Sequence, residues 1–122
     1  MNILIAEDTE PAYTILATAI KFNFPQVNIH WAINGREAIQ VFLNSKVNFD
    51  LVITDLNMPI MNGNKLAVMI NEHRPTVPII MWTSAVAEVE NPHLFIDIIN
   101  KKIPPVLENI KACLLTKEYR YR

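Results

Sequence analysis

Short, almost wholly apolar runs alternate along this chain with stretches whose apolar residues recur every three or four positions. The apolar runs are Asn2 to Ala6, Val27 to Trp31, Phe49 to Thr54, Val77 to Trp82 and Phe95 to Ile99. Each is too short to be a helix and is apolar on both alternating faces, which predicts strands covered on both sides, as in a parallel sheet. Between them the helical period predicts helices over Pro11 to Phe22, Gly35 to Leu43, Asn64 to His73 and Pro104 to Leu115, with a poorly patterned segment at Ala85 to Glu90. In the first helix Ala12, Ile15, Leu16, Ala19 and Ile20 share one face. In the last, Val106, Leu107, Ile110 and Leu114 do, and each stripe must cover a sheet. Pro92 cuts the fourth helix short.

Strand–helix alternation with right-handed crossovers leaves few possible strand orders. The expected architecture is α/β: a doubly wound, five-stranded parallel sheet in the order 2-1-3-4-5, flavodoxin-like, with a short or irregular fourth helix. Ligands of such sheets bind beyond the carboxyl ends of the strands, here where the first strand meets the third. The polar residues fall where that rule demands. Glu7 and Asp8 follow the first strand, Asp55 the third, Thr83 and Ser84 the fourth, and Lys101 and Lys102 the fifth.

Composition narrows the picture. The 122 residues fit one domain spanning 1–122, without internal repeat, low-complexity segment or long linker. Gly35 and Gly63 are single turn signals, and the eight prolines are scattered among connections and first turns of helices. Eleven Lys and Arg against twelve Asp and Glu give a net charge of −1, so no global field draws the chain to nucleic acid or to an anionic membrane. The start, MNILIAEDTEP, has a five-residue apolar stretch ahead of two acids and no basic leader. That fits neither a signal peptide nor a membrane span, and a cytoplasmic location is expected. Cys113 is the single cysteine, which excludes an intramolecular disulfide; in a helical pattern with Ile110 and Leu114 it reads as packing.

Three carboxylates from neighbouring strands, Glu7, Asp8 and Asp55, would repel one another and raise each other's pKa. A hard divalent cation with oxygen ligands relieves this, and Mg2+, which keeps several waters and takes one or two carboxylates plus phosphate oxygens, suits a small acidic pocket. A lysine beyond it would neutralise an arriving anion, and a hydroxyl would donate a hydrogen bond to it. Aspartate can act as a nucleophile toward phosphorus, and phosphoryl transfer needs chiefly positioning and charge neutralisation. Alone, Asp55 reads equally as a turn or capping acid; in the company of Asp8, Thr83 and a lysine it reads as functional. Ser84 reads as a helix-start residue, and Trp31 and Trp82 as partly buried anchors at strand ends. His30, His73 and His93 have no metal-ligand spacing, and the tail KEYRYR reads as a solvated end rather than an RNA-binding strip.

The segments ILIAED at 3–8, FDLVITDLNMPIMNG at 49–63, PIIMWTSA at 78–85 and the lysine after the fifth strand resemble the receiver domains of two-component response regulators over nearly the whole chain. TDLNMP followed by Gly63 is the most specific of these. The resemblance implies that Asp55 is the phosphoacceptor, taking its phosphoryl group from the phosphohistidine of a histidine kinase or a phosphotransfer protein. It implies Asp8 as the direct Mg2+ ligand, Glu7 as the outer acid acting through water, and Asn57 as the residue whose backbone carbonyl completes the metal shell. Thr83 resembles the hydroxyl that moves toward the phosphoryl group, and Lys101 the lysine that binds a phosphoryl oxygen, with Lys102 as the other register.

Several positions depart from the family pattern. Glu7 stands where the family usually has Asp, one methylene longer. From Thr83 to Lys101 is 18 positions, fewer than usual, and the Gly-Ala that normally ends the fourth helix is absent. Lys102 replaces the proline that normally follows the lysine, so the turn there is either trans and reshaped or strained. Ile98, or Ile99 in the register of Lys102, occupies the place of the family's switch aromatic. Three functions follow as expectations. The first is a stand-alone receiver without an output domain, a monomer or weak dimer that accepts phosphate on Asp55 and signals through an unknown protein target. Such a chain is no dedicated enzyme beyond weak self-dephosphorylation. The second is a constitutive interaction module of receiver architecture. The third, an aspartate-nucleophile phosphohydrolase, lacks an acid–base Asp at position 57 and a cap insertion.

Overall fold

A computed structural model describes residues 1–101 and 110–111. Strands β1 (Asn2–Ala6), β2 (Asn28–Ala32), β3 (Leu51–Thr54), β4 (Ile79–Thr83) and β5 (Asp97–Asn100) form one parallel sheet in the order β2-β1-β3-β4-β5. Helices α1 (Glu10–Asn23), α2 (Gly35–Asn44) and α3 (Gly63–His73) make the crossovers. This is the flavodoxin-like doubly wound order expected from the alternating pattern.

The two-residue period of each strand sorts its side chains into two cores. Leu4, Val52, Ile79 and Met81 face one way and pack with Ile39, Phe42, Leu66 and Ile70 of α2 and α3. Ile3, Ile5, Leu51, Ile53, Ile80 and Trp82 face the other and pack with Leu16 and Ile20 of α1 and with Ile110. Apolar residues on both faces are thus required by helices on both sides, and a polar residue inside a central strand would break one core or the other.

Local chemistry sets where the helices begin. Asn34 caps α2 by accepting from the Glu37 amide at 2.8 Å, while Glu37 Oε1 accepts from the amide of Ile33, one residue before the cap, at 3.3 Å. Asn62 caps α3 by accepting from the Lys65 amide at 2.9 Å. Thr9, before α1, makes no side-chain cap, and Pro11 in the first turn supplies the preset φ instead.

The segment between β4 and β5 has the short, irregular form expected of the fourth helix. Across and beyond Ala85 to Glu90 it forms two 3-10 turns, Val86–Glu88 and Pro92–Leu94, separated by Asn91 in the left-handed region at φ 49°. Pro92 lacks the N–H that a continuing helix would use. The buried Asn64 of α3 holds this connection from below: its Nδ2 donates to Glu88 O at 3.2 Å and its Oδ1 accepts from the Glu90 amide at 2.9 Å. Phe95 closes the second turn and turns into the core, so pairing begins later than expected, with the Ile96 amide donating to Ile79 O at 2.9 Å and β5 running to Asn100. Ile110 and Lys111 are helical and Ile110 is buried. The rest of the expected last helix, with Cys113, the KEYRYR tail and Lys102, lies outside the described residues. Among the described residues no helix is long and apolar enough to cross a membrane.

Candidate functional site at the carboxyl edge of the sheet

Three of the polar residues sit one step beyond a strand, and in each the backbone amide extends the sheet ladder. Glu7 donates to Ala32 O at 3.0 Å, Asp55 to Ala6 O at 2.9 Å and Lys101 to Thr83 O at 3.1 Å. The sheet therefore fixes the Cα atoms before any side-chain interaction is made. At the same edge, the carboxylate oxygens of Glu7, Asp8 and Asp55 come within 4.8 Å of one another.

Lys101 bridges two of these acids. Its Nζ donates to Asp55 Oδ2 at 2.8 Å and to Glu7 Oε1. The remaining oxygens are also held: Asp55 Oδ1 accepts from the Leu56 amide at 2.6 Å, and Glu7 Oε2 from the Thr9 amide at 3.1 Å. The Glu7 carbonyl accepts from Trp31 Nε1 at 2.8 Å, and the Trp31 ring stacks on Tyr13 with centroids 4.2 Å apart, so the aromatic pair braces the backbone that carries the acid.

Burial pushes the Glu7 carboxyl above its ordinary range, and the Asp55 charge adds to that, while Lys101 and the Thr9 amide pull it partly back. Burial alone would lower Lys101, yet its bonds to Asp55 and Glu7 and their charges outweigh this and hold the ammonium above its ordinary value. Glu7 is 1% exposed and Asp55 8%, whereas Asp8 is open to solvent. Two sequestered acids beside an accessible third, all hard oxygen donors, form a ligand set suited to a small divalent cation.

The loop after β3 is built around Asp55. Thr54 Oγ1 donates to the Asp55 carbonyl at 2.7 Å. The Gly63 amide returns to Leu56 O at 2.9 Å and the Gly35 amide to Met61 O at 3.0 Å. A Cβ on Gly63 would lie 2.1 Å from the Asp55 carbonyl oxygen, and one on Gly35 2.5 Å from that of Met61, so both glycines are required by close backbone approach. Asn57 lies exposed in this loop. Thr83 is buried at the end of β4, where its Oγ1 accepts from the Ala85 amide at 3.1 Å, and Ser84 beside it is exposed and caps no helix.

The structure thus brings Glu7, Asp8, Asp55 and Lys101 together, with Asn57 and Thr83 on the adjoining loop and strand end. Sequence reasoning missed two contributors. Asn64 read only as a helix-start position, and no spacing pointed to a partner 24 residues on. Trp31 read as a strand-end anchor, and nothing in the order of residues pointed to the bond its indole makes to the Glu7 carbonyl. His30 stands edge-on to Phe49 at 5.1 Å, a packing role.

The family model described as response regulator receiver domain matches residues 3–104. The regulatory protein AtoC of Escherichia coli is 36% identical over 89 residues, which are 73% of this chain and 18% of AtoC, so the chain spans under a fifth of that relative's length. Among solved structures, the response regulator TrrA of Thermotoga maritima, in complex with Mg2+-BeF, superposes with a TM-score of 0.72 at 23% identity, covering 94% of this chain and 96% of that one. The chemotaxis response regulator CheY4 of Vibrio cholerae does so with a TM-score of 0.79 at 21% identity, covering 92% and 97%. Sheet order, acidic edge and family match agree, and the chain belongs to the response regulator receiver domains.

Proposed function

We propose that this receiver domain accepts a phosphoryl group on Asp55, from a histidine kinase or a phosphotransfer protein, and passes the signal on through protein contacts. The observation that carries the reading is the Asp55 carboxylate at the end of β3, bonded to Lys101 and set among the oxygens of Glu7 and Asp8. A carboxylate oxygen of Asp55 attacks the phosphorus of the donor; the new P–O bond forms as the bond to the donor's nitrogen breaks, and the leaving imidazole takes up a proton. Lys101 neutralises an oxygen of the transferred group, and the Thr83 hydroxyl, whose oxygen already accepts from Ala85, retains its proton to donate to another. Asp8, Asp55, the Asn57 carbonyl and, through water, Glu7 would hold Mg2+, which supplies charge neutralisation between the acids and the incoming phosphoryl oxygens. Such a module is a phosphoacceptor working in the cytoplasm and not a turnover enzyme.

Intact mass after incubation with Mg2+ and acetyl phosphate tests this, with Asp55→Asn as control. One phosphoryl mass gained by the wild type alone, and lost when chelator is added first, supports the reading; no gain at saturating donor and Mg2+ overturns it.

A second reading, a constitutive interaction module of receiver architecture, is favoured by the segment after Thr83: 3-10 turns pinned to α3 by Asn64, and Ile98 without a ring. Full modification with unchanged partner affinity and oligomeric state would select it.

A further inference from the structure

Two features of Trp82 are left unexplained by packing alone. The residue is 5% exposed, within the core that faces α1, yet its indole Nε1 has no hydrogen-bond partner among the described residues. A buried, unpaired N–H costs stability that Phe or Leu at the same place would not incur. The second feature is the Lys101 ammonium, 4.9 Å from the centre of the Trp82 ring. That is within the reach of cation–π attraction, for which Trp offers the strongest ring.

The contact is built into the sheet. Trp82 pairs with Ile99 across β4 and β5, and the Lys101 amide is bonded to the Thr83 carbonyl, so ring and lysine stem are carried by two strands in fixed register. A lysine stem is flexible and its ammonium strongly hydrated. Here two carboxylates draw it from the side of the acids while the ring face fills the space behind it. Loss of the ring would free the ammonium to swing toward water.

We infer that Trp82 is a positioning residue for Lys101: its ring face holds the ammonium beside Asp55 before a phosphoryl group arrives. The inference rests on the reading of Asp55 as phosphoacceptor for its consequence, but the contact is testable separately. In protein labelled with 13C-lysine, the Lys101 ε-CH2 protons should be shifted upfield by the ring in the wild type and in Trp82→Phe. They should return to the ordinary lysine position in Trp82→Leu, or in Trp82→Met should the leucine variant not fold. Affinity for Mg2+ alone should not fall in any of them, since the acids that would hold the cation are untouched. At saturating Mg2+, affinity for beryllium fluoride should fall roughly three- to tenfold in the ringless variants, recover largely in Trp82→Phe, and show no further fall when Trp82→Leu is added to Lys101→Ala. An unshifted Lys101 in the wild type, wild-type fluoride affinity in both ringless variants, or an equal further loss on the Lys101→Ala background would overturn the inference. A shifted Lys101 in a wild-type protein that takes no beryllium fluoride would instead overturn the phosphoacceptor reading and leave the contact standing.

Discussion

Glu7 and Lys101 carry the sharpest physical constraints at the scale of single residues. Around the site lie three carboxylates whose oxygens are within 4.8 Å, with Lys101 bonded to two of them. Glu7→Gln keeps an oxygen for Lys101 while removing a buried charge, so the metal-free protein should melt a few degrees higher. The rise in melting temperature on adding Mg2+ should shrink in the same variant, and a thermal scan with and without the cation reads both. Lys101 makes a complementary prediction. Its folded value is raised above the ordinary 10.5, so the folded state binds its proton more tightly than the unfolded one. The stability it contributes is therefore complete below pH 10.5 and lost as pH climbs through the folded value. The stability gap between wild type and Lys101→Met, from urea titrations across the alkaline range, should be constant up to that point and narrow beyond it. The acid cluster and lysine could be found from sequence because chemistry demands those residue types at strand ends. Trp82 could not, since nothing in the order of residues says which ring lies behind an ammonium.

Elements were legible in proportion to their periodicity. The three described helices and the strands at the centre of the sheet carry uninterrupted patterns, and their positions follow from the need to cover two faces. The segment 85–96 does not, because its course is decided by contacts distant in sequence: the Asn64 amide clamp, the inward turn of Phe95 and the left-handed Asn91. Asn64→Ala should therefore leave α3 intact but raise amide exchange across residues 86–94 by about tenfold, as the loss of two modest hydrogen bonds would produce. The loop after β3 has its own signature. Ile60 is 74% exposed and lies at φ 71°, at the centre of a γ-turn closed by the Met61 amide on Pro59 O at 2.7 Å, a strained conformation that costs a β-branched residue about 1–3 kcal/mol. Ile60→Asn should raise stability by about 1 kcal/mol, seen as a higher urea midpoint at unchanged slope. Gly63→Ala acts in the opposite sense. Its Cβ would meet the Asp55 carbonyl at 2.1 Å, so a loss of about 2–3 kcal/mol is expected, with reduced phosphoryl uptake because the displaced atom belongs to the residue proposed as acceptor.

For the molecule as a whole the question is how an event at Asp55 could reach a partner. A receiver that signals by swinging a buried ring needs an aromatic on β5; the corresponding position here is Ile98, packed against the core beneath α2 and α3. A branched aliphatic side chain cannot alternate between a buried and a solvent-facing site without exposing apolar area, which is unfavourable at roughly 25 cal/mol per Å². The connection that would carry such a swing outward is itself tied to α3 at Glu88 and Glu90. The alternative routes are the loop that holds Asp55, with its strained Ile60 and exposed Asn57, and the Thr83–Ala85 corner, where a hydroxyl that turns toward a phosphoryl group would weaken its bond to the Ala85 amide. Amide exchange with and without Mg2+ and beryllium fluoride should therefore change at residues 55–63 and 83–85 and stay the same across 86–100. Equal or larger changes in 86–100 would show that the signal crosses the clamped segment after all. Such a result would shift the output surface from the edge around Asp55 to the far side of β5.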